Sequence, residues 1–165
     1  VALAKYLSNK LCPQVVTEAM EVLGGTGYVE DTALPMLYRE APLNGIWEGS
    51  ANVICLDALR TLAKDPLAAE ALAAALEAAR GLHPAYDAAL RAHRDRWPGP
   101  VAEAEARWFV ESAALLLTAS VLLRRGPSAV AEAYAASRLT PGRGRFYGAL
   151  PAGQAEDLLE QCFPE

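Results

Sequence analysis

The sequence predicts an all-α fold, an antiparallel bundle of helices joined by short turns. Apolar residues recur every three or four positions along most of the chain, which is the period of an amphipathic helix. No segment shows the strict alternation that is typical of a strand. The second half is rich in alanine, the best helix former. With 53% hydrophobic residues among 165, the chain is long and apolar enough to bury a core.

The first element is an amphipathic helix over residues 2–24. Pro13 lies inside it and should kink it, because proline has no N–H to donate. Gly24 and Gly25 end it, since glycine readily supplies a left-handed cap. Short elements then follow: a loop over 26–32, a helix over 34–40 with Pro35 in its first turn, a tight connection over 41–49 and a helix over 51–64 capped by Ser50.

The second half is predicted to consist of helices separated by Gly and Pro. They cover residues 66–79, 84–95, 101–124, 128–138 and 151–161, with a loop over 140–150. Asp65-Pro66 starts the first of them, and Gly126-Pro127 stops the longest. We expect a core domain over 1–65 that carries the functional motif, and a helical extension over 66–165 packed on it.

Charge and cysteine usage exclude several classes of protein. The net charge of −5 excludes a polycation, so overall charge gives no sign of nucleic-acid binding. Three widely spaced cysteines predict neither a disulfide framework nor a zinc site, and they fit reduced thiols in the cytoplasm. His83 and His93 are expected in a loop and on the surface. The apolar run over 112–123 is shorter than a membrane span and predicts a buried core helix.

The stretch from residue 44 to 60 carries the most distinctive chemistry. Glu48 is a single carboxylate between Trp47 and the small pair Gly49-Ser50, with apolar residues on both sides. Where neighbours exclude water, a carboxylate becomes a stronger base, so Glu48 is a candidate general base. The alternative is that Glu48 ends one helical turn and Ser50 caps the next helix. The local residues alone leave both interpretations open.

Three segments in register carry a family resemblance. They are Glu18–Tyr28 (EAMEVLGGTGY), Leu34–Ala41 (LPMLYREA) and Ile46–Ser50 (IWEGS). In this order and spacing they resemble the C-terminal domain of flavin-dependent acyl-CoA dehydrogenases. The run is most similar to the alkylation-response, AidB-like branch of that family. The resemblance is dense over residues 1–65 and thin beyond them.

The resemblance implies a catalytic role for Glu48. In this family the equivalent Glu removes the α-proton of an acyl-CoA while the β-hydride passes to FAD. Its backbone N–H helps to hold the thioester carbonyl, which acidifies that proton. Trp47 and Gly49 would line the substrate pocket. Trp47 stands where the family commonly has Tyr and would narrow the pocket, and core packing is its alternative role.

The resemblance also implies cofactor contacts. Gly24 and Gly25 would approach the FAD of a neighbouring subunit, because the lack of a Cβ permits close approach. Ser50 and Asn52 would hydrogen-bond the cofactor, and their alternative roles are a helix cap and a solvated first turn. Glu21 stands where the family usually has Gln, which weakens that contact. A shared cofactor site implies a homodimer or tetramer.

The resemblance also bears on whether the chain is complete and on its partners. The chain begins with Val1 at a point that lies inside a helix in the family, so we expect a fragment that binds FAD weakly or not at all and lacks dehydrogenase activity alone. Acyl-CoA would be the substrate of the complete protein. The competing class is a helical module for self-association or DNA binding. Its candidate DNA contacts are Arg60, Arg124 and Arg125, within a possible basic face that includes Arg91, Arg94, Arg96, Arg138, Arg143 and Arg145.

Overall fold

The computed structural model describes residues 1–142, 147–150 and 153–163, and the regular elements in those ranges are all helical. The predicted all-α class is therefore confirmed. The α-helices are α1 (Ala2–Val22), α2 (Gly25–Tyr28), α3 (Leu34–Glu40), α4 (Ala51–Lys64), α5 (Pro66–Glu77), α6 (Pro84–Arg96), α7 (Ala106–Arg125), α8 (Ser128–Arg138) and α9 (Gln154–Cys162), with 3₁₀ turns at Ala41–Gly45 and Glu103–Glu105.

The chain divides into two compact units. The first comprises residues 1–60 and 102–111, and the second comprises 61–101 and 112–165. Helix α7 thus contributes its first residues to one unit and the remainder to the other. The predicted domain division, 1–65 and 66–165, stays a prediction.

The buried side chains of the first unit include Tyr6 of α1 and Cys55 of α4. Arg107, at the start of α7, hydrogen-bonds the Tyr6 side chain. Burial raises the pKa of the Tyr6 phenol and of the Cys55 thiol, and Arg107 opposes both shifts. Both groups are therefore neutral at neutral pH. Cys55 is a small residue of the core.

Helix α2 departs from the predicted loop over 26–32. The chain leaves α1 through Gly24, whose φ of 59° and ψ of −140° suit glycine, and then makes one helical turn. Gly27 is buried in that turn, where an added Cβ would overlap the Met20 carbonyl oxygen and lie 2.9 Å from Met20 Cα. Because this contact joins α2 to α1, the turn depends on tertiary packing that local sequence patterns do not encode.

The second unit has its core between α5, α6 and α7. Buried members of this core include Leu76, Tyr86, Leu90 and Leu116. The Tyr86 hydroxyl donates to the Leu76 carbonyl at 2.5 Å, so the phenol is satisfied inside the core. Asp65 caps α5 as predicted, since its side chain accepts from the N–H groups of residues 67 and 68 at 3.0 and 3.3 Å.

His93 corrects one expectation, because it lies in the core and not on the surface. It is only 8% exposed, and its Nδ1 lies 2.8 Å from the Ser112 hydroxyl oxygen. Burial, with a smaller contribution from the neighbouring Arg94 charge, lowers the pKa of His93 to about 4. His83 caps α6 through its Nδ1, which accepts from the Ala85 N–H at 3.1 Å.

The apolar segment Glu103–Arg125 is long and apolar enough to cross a membrane by length and composition alone. Within its apolar window, however, 44% is buried inside the protein. Ser120 of this segment donates to the Ala75 carbonyl at 2.6 Å, and Leu116 and Ala119 belong to the core of the second unit. These contacts support the predicted role of a core helix.

Three expectations fall partly or wholly outside the described residues. The predicted loop over 140–150 includes residues 143–146, which are not described, so Arg143 and Arg145 lie outside the described part of the chain. The predicted helix over 151–161 begins at two such residues, and α9 is described from Gln154 onward.

Candidate functional site

Glu48 lies in a sharp turn between the Ala41–Gly45 3₁₀ turn and α4. The N–H groups of Ile46 and Trp47 both donate to the Leu43 carbonyl, at 2.9 and 3.1 Å. The chain then takes positive φ at two successive residues, 54° at Glu48 and 106° at Gly49. Glu48 is the one non-glycine residue with positive φ in the described part of the chain. The left-handed region is unfavourable for a residue with a Cβ, so the backbone is strained at this carboxylate.

The turn ends where α4 begins. The Ser50 carbonyl accepts the N–H of Ile54 at 3.0 Å, which places Ser50 at the helix start as predicted. An added Cβ at Gly49 would lie 3.5 Å from Val53 Cγ1, an ordinary contact. The positive φ of Gly49, and not crowding, therefore makes glycine the favourable residue there.

Helix α1 supplies the groups that hold this turn. Lys5 Nζ donates to the Trp47 carbonyl at 3.3 Å and to the Glu48 carbonyl at 3.1 Å. The same nitrogen lies 3.5 Å from Glu48 Oε2. One helical turn further, Asn9 Nδ2 donates to the Asn44 carbonyl at 2.6 Å. Lys5 and Asn9 are not predictable from local sequence patterns, because each lies more than 30 residues from its partner along the chain.

The neighbours of Glu48 in the sequence predict that water is excluded from its carboxylate, and in the described chain this prediction is wrong. The Glu48 side chain is 82% exposed, because no element of the first unit covers the outer side of the turn. Trp47 is 56% exposed, which rules out the alternative that it packs in the core of this unit. A carboxylate and an indole thus stand side by side on an open surface.

The predicted cofactor residues are also at the surface. Gly24 and Gly25 are exposed, and an added Cβ at either would meet nothing within 4 Å. Ser50 and Asn52 are exposed at the start of α4. This helix end presents N–H groups and a partial positive charge, which favour an anionic group. These four residues therefore fit a contact made from outside the first unit. Packing inside the unit does not require glycine at positions 24 and 25, because an added Cβ would meet no neighbour.

The candidate DNA contacts are distributed over both units. Arg60 belongs to the first unit and pairs with Asp57 one turn away on α4. Arg124 and Arg125 are exposed in the second unit, and Arg124 Nε donates to the Ser120 carbonyl at 3.0 Å. DNA binding stays a prediction.

Arg39 behaves as an ordinary surface arginine. It forms two hydrogen bonds with the Glu30 carboxylate, at 2.7 and 3.1 Å. This contact lowers the pKa of Glu30. The pair fastens α3 to the segment that follows α2. In the described ranges, no three His, Cys, Asp or Glu side chains are grouped so that they could hold a metal ion.

Comparison with known proteins shows what the first part of the chain is similar to. Residues 1–63 match the family model for the acyl-CoA dehydrogenase C-terminal domain. The putative acyl-CoA dehydrogenase AidB of Escherichia coli (strain K12) is 44% identical over 100 residues, which cover 61% of this chain and 18% of that protein. Acyl-CoA dehydrogenase family member 11 of Caenorhabditis elegans is 48% identical over 56 residues, 34% of this chain and 9% of that protein.

A glutaryl-CoA dehydrogenase of Desulfococcus multivorans is 38% identical over 63 residues, which cover 36% of this chain and 16% of that protein. The chain therefore spans less than a fifth of the length of these relatives. The resemblance predicted from the three motifs is confirmed. It also extends further than expected, since 100 aligned residues reach beyond the first 65.

Proposed function

We propose that this chain, whose residues 1–63 match the acyl-CoA dehydrogenase C-terminal domain, supplies the catalytic base of an FAD-dependent acyl-CoA dehydrogenase. Glu48 is that base. The observation that carries the proposal is a carboxylate on a positive-φ backbone. Strained backbone of this kind clusters at functional sites, where the surrounding structure holds it in place.

The reaction requires one carboxylate aimed at the α-carbon of an acyl thioester. Glu48 accepts the α-proton, and its backbone N–H contributes to holding the thioester carbonyl. A bound flavin would supply the acceptor for the β-hydride. Trp47 and Gly49 flank the base, so the indole limits the width of the acyl pocket. We therefore propose a short or branched acyl-CoA as substrate.

The exposure of Glu48 bears on what this chain does alone. Proton abstraction next to a thioester is favoured where water is excluded, and the first unit leaves the Glu48 side chain 82% exposed. We propose that the chain is a fragment of the enzyme, that the remainder of the complete protein covers the carboxylate, and that the isolated chain has no dehydrogenase activity.

FAD would be held partly by the surface described above. Gly24 and Gly25 offer open backbone, while the Ser50 hydroxyl and the Asn52 amide can both donate and accept hydrogen bonds. These four residues come from two segments, the exit of α1 and the start of α4. We propose that they contact the FAD of a neighbouring subunit, and that this chain alone does not retain FAD through gel filtration.

The direct test is Glu48→Gln in the complete protein, which preserves shape and removes the base. Loss of a general base lowers rates by about 100- to 10,000-fold, and we expect kcat for acyl-CoA oxidation to fall within that range. Glu40→Gln is the matched control, since Glu40 is an exposed carboxylate at the end of α3. Oxidation by Glu48→Gln at the wild-type rate would refute the assignment.

Self-association is a second function with its own support. The first unit leaves several large apolar side chains more than half exposed, and they are Val22, Tyr28, Met36, Ile46 and Trp47. Where such side chains form a contiguous patch, that patch marks an interaction surface. We propose a homodimer or tetramer formed through residues 1–65. Light scattering of the chain at high concentration tests this, and a monomeric mass would exclude it.

A further inference from the structure

The Lys5 ammonium group makes three contacts with the turn that carries Glu48. An ammonium group has three N–H donors, and the structure offers it three acceptors. Two are the successive carbonyls of Trp47 and Glu48, at 3.3 and 3.1 Å, and the third is the Glu48 carboxylate, at 3.5 Å. The Lys5 side chain is 24% exposed, so it is partly withdrawn from water while it makes these contacts.

The pair of carbonyls identifies what Lys5 stabilises. In an extended chain, successive carbonyls point in opposite directions, whereas in a helical conformation of either hand they point the same way. Here one nitrogen reaches both the Trp47 and the Glu48 oxygens, and the φ of 54° places Glu48 in the left-handed region. The Lys5 contacts are made to this conformation, and they therefore stabilise a backbone that Glu48 would otherwise avoid.

A second side chain of α1 fixes the other end of the same segment. Asn9 follows Lys5 by four residues, on the same face of the helix, and donates to the Asn44 carbonyl at 2.6 Å. The segment from 44 to 48 is thereby attached to α1 at both ends. This leaves the Glu48 carboxylate little freedom to change direction by movement of its own backbone.

We propose that Lys5 is a positioning residue for Glu48. Its ammonium group holds the left-handed turn and the carboxylate together, and so directs the base. The proposal rests on the proposed function only in calling Glu48 a base, because the hold on the turn is a property of the chain itself. Lys5 is not proposed to touch the substrate or the cofactor, and it acts through the backbone and the carboxylate of Glu48.

The test uses the chain itself and reads the backbone of Glu48 by NMR. A residue with positive φ has its HN and Hα unusually close, which gives a strong intraresidue NOE. Lys5→Met keeps the aliphatic stem and removes the donors. Loss of two hydrogen bonds with a charged donor lowers the equilibrium ratio of the positive-φ to the negative-φ conformation by at least about tenfold, so the NOE should weaken measurably.

Two further variants make the comparison specific. Lys10→Met is the matched control, because Lys10 is an exposed lysine of the same helix and the change in charge is identical. It should leave the Glu48 NOE unchanged. Lys5→Arg retains a cation with several donors and should restore most of the NOE that Lys5→Met loses. In the complete protein, Lys5→Met should lower kcat in proportion to the positive-φ population that is lost and change KM little, since a misdirected base affects the chemical step.

Three results would overturn the proposal. They are a wild-type Glu48 without the positive-φ signature, a Lys5→Met chain that retains it, and a Lys5→Met chain that fails to fold while Lys10→Met folds. The last would assign Lys5 to the stability of the whole unit. The NMR result does not depend on catalysis, so it can fail while Glu48→Gln still identifies the base, and the reverse also holds.

Discussion

His93 offers a quantitative test of the packing of the second unit through its response to pH. Burial lowers its pKa from 6.5 to about 4, because the core around Ser112 and Trp97 solvates an imidazolium poorly. The positive charge of Arg94 adds to the effect. In the unfolded chain the imidazole meets water, and its pKa returns to the ordinary value.

The sign and size of the effect follow from these two values. Between pH 6.5 and 4, the unfolded chain binds a proton at His93 that the folded chain does not, so stability decreases as the pH falls through this window. The free energy of unfolding is not reduced by His93 above this window, and the reduction reaches its full size below it. The two pKa values differ by about 2.5, and each pKa unit corresponds to about 1.36 kcal/mol, so His93 lowers the free energy of unfolding by roughly 3 kcal/mol.

Urea unfolding of wild type and His93→Gln at several pH values between 7 and 4 measures this contribution. The carboxylates titrate alike in both proteins, so the difference between the two curves isolates His93. We expect wild type to lose roughly 3 kcal/mol more than His93→Gln over this range. His83→Gln is the control and should retain the extra loss. Parallel curves for wild type and His93→Gln would refute the account of His93 as a neutral core residue.

Two further predictions concern backbone and cap. Gly27→Ala should destabilise the chain by about 1–3 kcal/mol, because the new Cβ would overlap the Met20 carbonyl, whereas Gly25→Ala in the same helix, with open space around it, should stay within about 0.5 kcal/mol. Equal melting temperatures for the two variants would contradict this. Asp65→Ala should cost about 1 kcal/mol through loss of the α5 cap, and Asp57→Ala, which removes an exposed pair on α4, should cost less than about 0.5 kcal/mol. A thermal shift larger for Asp57→Ala than for Asp65→Ala would reverse that ranking.

Much of the fold was predictable because its signals are local. Proline at a helix start, glycine after a helix end and the period of apolar residues placed α1 and most later helices within a few residues of their observed bounds. The exception in the first unit, α2, depends on the contact of Gly27 with Met20. His93 was misplaced because the arginines around it suggested a surface. The period through Tyr86 and Leu90, four and three residues apart, pointed to the core.

The candidate site divides in the same way. The chemistry of Glu48 and the start of α4 at Ser50 were visible in the sequence, since both depend on adjacent residues. The left-handed backbone of Glu48 was not predictable, because glutamate ordinarily has negative φ. Lys5 was invisible for another reason: 43 residues separate it from Glu48, and no local pattern relates the two.

The turn at residue 48 has a consequence for protein engineering. Glycine would occupy a φ of 54° without the steric cost of a Cβ, which is about 1–2 kcal/mol for other residues. A library screened for thermal tolerance alone should therefore enrich Glu48→Gly. Because Glu48 is the proposed base, a library of the complete protein screened for turnover should reject it. The two screens would therefore select different residues at position 48, because stability of the turn favours glycine and the proposed catalytic role requires the carboxylate.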